Sequence, residues 1–276
     1  MRAIVNPAYS EVPIPWRKEL EKGEIRIGYM LELDAELPTA PACKRALQES
    51  VEKLQNAGIS CEQVHIPNLF ELATTFISIN CADATASQVQ AIGKEPLDPH
   101  ISKVIRQVQA LSLLKRAFLW YNQRKGASVK YTALLQATTT KRNLSQYWRL
   151  VDFKAQLQKA TLQAMSLLNV DCILFPAFAT QAIPLNCFSD LVFSAAYSFV
   201  WNVLDVPVGM IPAGKVESDK DGVQQCTDYS QTLTFMMSKC GLLDSKESEG
   251  LPIGVQVVGV KSVFLAGMKT IGKMIN

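Results

Sequence analysis

Residues 25 to 67 constrain the fold more than any other stretch of this chain. Ile25 to Leu31 is an apolar run of strand length, and Ser60 to Ile66 alternates and stops at Pro67. Between them, Thr39 can cap a helix whose apolar stripe, Cys43, Leu47, Val51 and Leu54, recurs every three or four residues and which ends at Gly58. A strand, a helix and a second strand in that order form a crossover unit, expected to be parallel and right-handed. The expectation is an α/β protein whose sheet is covered by helices. Helical patterns follow at about residues 69 to 91, 101 to 122 and 142 to 168, and Val263 to Ile275 reads as a final helix. Gly214 to Gly250, rich in Asp, Lys, Ser and Glu, reads as a surface excursion with a short helix around Leu233 to Met237.

Composition narrows the class. With 276 residues, 48% of them apolar and 19% charged, the chain can bury a substantial core. No apolar run approaches the ~20 residues of a membrane-spanning helix. Seven cysteines without a C-x-x-C pair suit neither a disulfide framework nor a zinc site, and read as scattered reduced thiols. Met1 to Trp16 holds Asn, Glu and three prolines instead of a positive head and an apolar run, so no secretory signal is expected and an intracellular location is.

The net charge of +3 hides an asymmetry. Residues 98 to 159 carry twelve Lys or Arg against two acids, whereas the remainder carries sixteen against twenty-three. Within this basic arm, Leu111, Leu114, Phe118 and Tyr121 share a helical face, with Trp120 beside it and Lys115, Arg116, Arg124 and Lys125 flanking. Such a stripe either faces a core or lies in a membrane interface while its cations meet anionic headgroups. A nucleic-acid partner is not expected, because only Trp120, Tyr121, Tyr131 and Tyr147 accompany the basic residues and no recognition motif does.

Three motifs in the last third carry a resemblance: Asp171-Cys-Ile-Leu-Phe-Pro176, Trp201-Asn-Val-Leu-Asp-Val-Pro-Val-Gly-Met-Ile-Pro212 and Gly250-Leu-Pro-Ile-Gly-Val-Gln-Val-Val-Gly259. Arg26-Ile-Gly-Tyr-Met30 and Pro41-Ala-Cys-Lys-Arg-Ala-Leu47 precede them in the same order as in the amidase signature family, and Asn202-Val-Leu-Asp-Val-Pro207 resembles its fatty acid amide hydrolase branch. Met1-Arg-Ala-Ile-Val5 resembles the end of the helix that follows the catalytic core, so the likeness spans nearly the whole chain. It implies the C-terminal portion of the amidase signature fold, a mixed twisted sheet flanked by helices. The chain then divides into one partial domain, 1–276, made of a leading segment (1–24), the strand-helix-strand unit (25–97), a basic helical arm with a membrane cap (98–168) and C-terminal strands with a final helix (169–276).

The same resemblance implies chemistry that this sequence does not hold. Family members use a Ser-(cis)Ser-Lys triad on a Gly-Ser-rich loop, whose glycines let backbone amides crowd an oxyanion. Here no two of the fourteen glycines are adjacent, none neighbours a serine, and no two serines are consecutive. No residue is therefore assigned a catalytic role, and the chain is expected to be a partial product that is inactive alone. Its implied parent cleaves a fatty acid amide into fatty acid and amine without metal or cofactor. The alternatives are a non-catalytic lipid-binding or enzyme-pairing protein, or part of an amidase with a non-lipid substrate.

Carried over position by position, Val192, Ala195 and Phe199 fall where the family lines its acyl-chain channel, and a channel aromatic of the family falls at or near Ser262. Spacings of three and four put the first three on one helix face, which serves a core equally well. The resemblance likewise assigns Leu111, Leu114, Phe118 and Trp120 to a membrane interface, making the implied partners a lipid amide substrate, an endomembrane surface and, in the full-length parent, a second copy. Asp205, between Leu204 and Val206, is expected to be a buried carboxylate accepting backbone amides, since a buried charge needs partners. Asn202 is expected to fix a turn and Asp171 to sit at a strand start, while His65 and His100 lie in no motif. A sheet lacking its other strands is expected to expose an edge and to be poorly soluble.

Overall fold

The computed structural model describes residues 25–83, 85–109, 112–124, 126–184, 187, 191–222, 237, 240, 242, 245–260 and 264–275. Strand β1 (Ile27–Tyr29), helix α1 (Pro41–Asn56) and strand β2 (Cys61–Gln63) form the crossover unit, and the two strands pair in parallel, Ile27 opposite Cys61. Six helices then intervene: α2 (Leu69–Asn80), α3 (Ala86–Ile92), α4 (Pro99–Gln109), α5 (Ser112–Arg124), α6 (Val129–Thr139) and α7 (Leu144–Leu167). The chain returns to the sheet with β3 (Cys172–Pro176), climbs α8 (Ala196–Leu204), and continues through β4 (Val208–Lys215), α9 (Ser218–Asp221), β5 (Pro252–Gly259) and α10 (Phe264–Ile275).

The sheet order is β2-β1-β3-β5-β4. β3 pairs with β1 in parallel and with β5 antiparallel, and β5 pairs antiparallel with β4, so the sheet is mixed. β3 is buried at all five residues, as a strand covered on both faces must be. Its alternation sorts the two cores. Cys172 and Leu174 join Ile27, Leu47, Leu54, Val255, Val257 and Ile271 under α1 and α10. Ile173 and Phe175 join Leu69, Leu134, Tyr197, Trp201 and Val258 under α2, α6 and α8. Gly28 has a packing reason: a Cβ there would stand 3.0 Å from the branched side chain of Val64 and 3.3 Å from Ile173.

Several expectations are revised. Thr39 does not cap α1; the cap position is Ala40, with Pro41 in the first turn. The Thr39 hydroxyl instead donates to the Leu31 carbonyl (2.5 Å) and lies 3.0 Å from the Tyr197 hydroxyl, a long-range demand that outcompetes a local cap. The helical stretch of 69 to 91 is two helices, broken where Thr85 takes a left-handed φ of 63°. The stretch of 101 to 122 is likewise α4 and α5, and α6 was not anticipated. The excursion after Gly214 is anchored in the interior, since Asp221, Met237, Leu242, Ser245 and Ser248 are all buried. The helix expected around Leu233 lies outside the described residues, apart from Met237.

The anchor at the start of that excursion is electrostatic. Asp221, whose side chain is fully buried, accepts two hydrogen bonds from the Arg45 guanidinium of α1 at 2.5 and 2.9 Å and one from the Glu217 amide at 2.8 Å. Arg45 also donates to the Lys215 carbonyl at 2.8 Å and to Glu49 at 2.9 Å. Burial would raise the Asp221 carboxyl, but the Arg45 and Glu217 hydrogen bonds outweigh it and hold the group below the usual carboxylate range.

Candidate functional site

The three C-terminal motifs meet at the C-terminal end of β3. Phe175 of the first stacks on Tyr197 (centroids 4.9 Å, 18°) and meets Trp201 edge-on (5.3 Å, 85°), which presses α8 against the strand. Gln256 of the third, 3% exposed, donates from Nε2 to the carbonyls of Pro176 (2.7 Å), Ala177 (3.3 Å) and Tyr197 (2.8 Å). One buried amide thus ties the strand end, the loop after it and the helix together, which a buried polar group needs in order to be tolerated. The Tyr197 hydroxyl donates to the Leu37 carbonyl (2.5 Å) and accepts from the Leu33 amide (3.1 Å), fixing the loop that follows β1. Burial holds this phenol above its ordinary range, so it stays neutral.

The lining positions begin on a tighter coil than expected. Val192–Ala195 is a 3₁₀ turn that passes into α8 at Ala196. Ala195 and Phe199, four residues apart, stand one α-turn from each other across the change of helix type. Ala195 and Phe199 are half-buried. The Phe199 ring lies 5.2 Å from that of Phe76 on α2, a neighbour that the sequence motifs did not indicate. The opposite face of α8, carrying Ala196, Tyr197, Val200, Trp201 and Leu204, is buried. The side chain of Val192, and Ser262 altogether, fall outside what the structure describes.

Asp205 corrects an expectation. It is exposed, and it closes α8 in the left-handed region at φ 57°, its amide donating back to the Asn202 carbonyl at 3.2 Å. Asp is among the few non-glycine residues that take this conformation readily, so its role here is a helix stop and its carboxylate is free to reach outward. Asn202, on the last turn of α8, is also exposed. Asp171 is buried before β3 and accepts from the Arg26 amide at 2.9 Å, with the Arg26 guanidinium 3.6 Å away, so it pins the start of β3 to the start of β1.

Other chemistry is weak among the described residues. Burial pushes the thiols of Cys43 and Cys172 up to about 12, with Asp221 and Asp171 adding to the respective shifts, which makes both poor nucleophiles. His65 is exposed beyond β2, and the side chain of His100 is outside the described set. Among the described residues no His, Cys, Asp and Glu side chains gather in threes as a metal would require.

On the arm, the apolar face of α5 is open. Leu114, Phe118 and Tyr121 are 62%, 52% and 53% exposed there, and on another side of the helix Trp120, 56% exposed, lies under Arg124 at 4.4 Å. The inward side of the helix carries Asn122, buried and donating to the Phe118 carbonyl. Leu111 lies outside the described residues. No described helix is long and apolar enough to cross a membrane.

Edge strand β4 leaves Val208 and Met210 38% and 64% exposed on the outer side of the sheet. A surface pocket of about 390 Å³ opens between the end of β3 and the start of β5, lined by Phe178, Gln181, Ile183 and Ile253 among others.

Comparison with known proteins matches this arrangement. The chain is 24% identical over 250 residues to fatty acid amide hydrolase 1 of Caenorhabditis elegans, covering 89% of this chain and 42% of that protein. It is 24% identical over 253 residues to fatty-acid amide hydrolase 1 of Sus scrofa, covering 90% and 42%. A solved fatty acid amide hydrolase superposes with a TM-score of 0.66 at 19% identity, covering all of this chain and 44% of its own, which shows a shared fold. The chain thus spans about two fifths of the length of the curated relatives it matches. Residues 4–262 match the amidase family model, and the chain belongs to the amidase signature family.

Proposed function

We propose that this chain is the C-terminal part of a serine amide hydrolase acting on fatty acid amides, and that it carries the acyl-channel wall and a membrane-facing arm. In the complete reaction an activated serine attacks the amide carbonyl, the amine leaves with a proton, and water releases the fatty acid from the acyl-serine. The likeness to fatty acid amide hydrolases supports that reaction. The observation that carries the lipid reading is the pairing of an apolar half-buried face, Ala195 and Phe199 beside Phe76, with the open aromatic face of α5. Leu114, Phe118 and Trp120 enter the headgroup region of an intracellular membrane while the arm's cations meet anionic lipid. The chain alone does not hydrolyse amides, since no Gly-Ser loop is in its sequence.

The test has two arms. Liposome co-sedimentation of the chain should lose binding on Phe118→Asp plus Trp120→Asp, and unchanged binding refutes the membrane reading. A diazirine-bearing fatty acid amide should label peptides from 192 to 204, and labelling confined to other segments refutes the channel. Serine-directed labelling of the chain by a fluorophosphonate would overturn its inactivity.

A second reading is favoured by β4, the edge strand among the described residues, with Val208 and Met210 exposed: a non-catalytic chain that pairs with an intact relative through that edge. Co-expression with a full-length family member and retrieval of a mixed complex separates it from the first reading, as does a Met210→Lys variant that abolishes the complex.

A further inference from the structure

The arm presents a second exposed apolar group, on a different helix from the one already discussed. At the start of α7, Leu144 is 72% exposed and Trp148 60%, one turn apart on one face. Lys141, Asn143 and Arg149 around them are exposed, and Arg142 is partly so. From Lys141 to Lys159 the sequence holds Lys141, Arg142, Arg149, Lys154 and Lys159 against the single acid Asp152, which is held by the Gln156 amide at 2.8 Å.

This corner is rigid. The Asn143 side chain accepts from the Gln146 amide at 2.9 Å while the Gln146 side chain accepts from the Asn143 amide at 3.0 Å, a reciprocal cap that fixes the first turn of α7. The Arg142 amide donates to the Ala82 carbonyl at 2.8 Å, tying the approach to α7 to the turn after α2. Tyr147, half-buried, meets the Trp148 ring edge-on at 5.6 Å and restrains it. An exposed Trp and Leu, held in place at the cost of leaving apolar area in water, call for an apolar partner. The cations around them call for an anionic one.

We infer that the N-terminal turn of α7 is a second membrane-contact point: Leu144 and Trp148 enter the interfacial layer of a bilayer, and Lys141 and Arg149 engage anionic lipid headgroups. A bilayer interface supplies both chemistries in one surface, and Trp is the side chain best suited to its headgroup level. Asp152, one turn beyond Trp148, sets the limit of insertion and confines the contact to the first turns. The inference extends the membrane reading of α5 and rests on it, while naming different residues on a different element.

The experiment uses the full 276-residue chain and vesicles of phosphatidylcholine with and without phosphatidylserine. Lys141→Gln plus Arg149→Gln should weaken binding about 25-fold on the anionic vesicles and leave binding to neutral vesicles unchanged, since each surface cation contributes roughly a factor of five. The conservative Trp148→Phe variant, which keeps the fold, should remove a component of tryptophan quenching by brominated lipid that the wild type shows. If the wild type binds neither vesicle, the membrane reading of α5 fails and this inference with it. If binding is lost with the α5 variant but both α7 variants match the wild type, this inference alone is overturned. Wild-type vesicle binding accompanied by α7 variants that change only the sedimentation state assigns the turn to a second copy of the chain and also overturns it. Tighter binding to a short DNA duplex than to anionic vesicles does the same.

Discussion

The C-terminal sheet and the basic arm use the same kinds of side chain in opposite ways. In the sheet half, Phe175 stacks on Tyr197 and meets Trp201 edge-on, all three are fully buried, and Gln256 ties the Tyr197 carbonyl to the end of β3. In the arm, Phe118, Trp120 and Trp148 are more than half exposed and sit among Lys and Arg. The difference shows that aromatic content does not tell a core from an interface; the company of the aromatic does. Where its neighbours are β-branched and a lone amide, the ring is structural, and where they are cations, it is offered outward. The family motifs fall wholly in the first region, so they report on the scaffold and leave the arm's outward surface to be read from exposure.

That contrast can be broken by substitution. Trp201→Ala should cost about 4 kcal/mol in urea denaturation, the size expected for deleting a buried aromatic and leaving a cavity. Arg45→Ala should cost about 3 kcal/mol, because it strands the Asp221 carboxylate, whose side chain is fully buried. The sign of the pH effect follows from Asp221 being held below its unfolded value: the stabilisation is complete above the ordinary aspartate range, near pH 4, and is lost as pH falls below it. An acid titration of wild-type stability should therefore be steeper below pH 4 than that of Arg45→Ala. Gln256→Leu removes the buried amide that bridges the Pro176, Ala177 and Tyr197 carbonyls and should cost about 2 kcal/mol. Tyr197→Phe removes a buried hydroxyl hub and should cost about 1 kcal/mol. At the far end of the scale, Phe118→Ser on α5 should stay within about 0.5 kcal/mol. A large loss there would place the α5 face in a core and erase the distinction.

Much of the scaffold was legible because its signals are local. The strands announced themselves as apolar or alternating runs, the crossover unit by its order, and α7 by its helical pattern over residues 142 to 168. What was not legible depends on distant partners or unmarked breaks. Nothing in Cys81 to Thr85 resembles a helix stop, since a left-handed threonine is uncommon and neither glycine nor proline marks the turn. Helix α6 starts at a real cap, with Ser128 accepting from the Tyr131 amide at 3.0 Å, but the threonines at its far end obscure the pattern. Thr39 carried a cap signature, but its hydroxyl donates to the Leu31 carbonyl beside the Tyr197 hydroxyl, 158 residues away. Asp205 was read as buried from its apolar neighbours, yet a helix end in the left-handed region turns its side chain out of the segment that encloses it.

At the candidate site the motifs located α8, and the lack of any glycine beside a serine was visible in the sequence alone. Phe76 escaped notice because it sits in an apolar helix with no motif and meets Phe199 only in three dimensions. The exposure of Leu144 and Trp148 escaped for the same reason: periodicity marks a face but not which way it looks.

The pairing of β1 with β3, Ile27 beside Cys172, gives the arm a particular freedom. Helices α2 to α7 run from β2 to β3, the two neighbours of β1; α2 and α6 cover one face of the sheet, whereas α4 and α5 pack on α6 and reach the strands only as part of a loop to be closed. The entropy of closing a loop grows with the logarithm of its length, about 0.6 kcal/mol per doubling, so residues added to or removed from the arm scarcely disturb strand pairing. Helices α4 and α5 can therefore be lengthened, shortened or recoloured for a new surface while Phe175, Tyr197 and Gln256 stay where they are. The architecture treats its outward face as a replaceable fitting on a fixed frame.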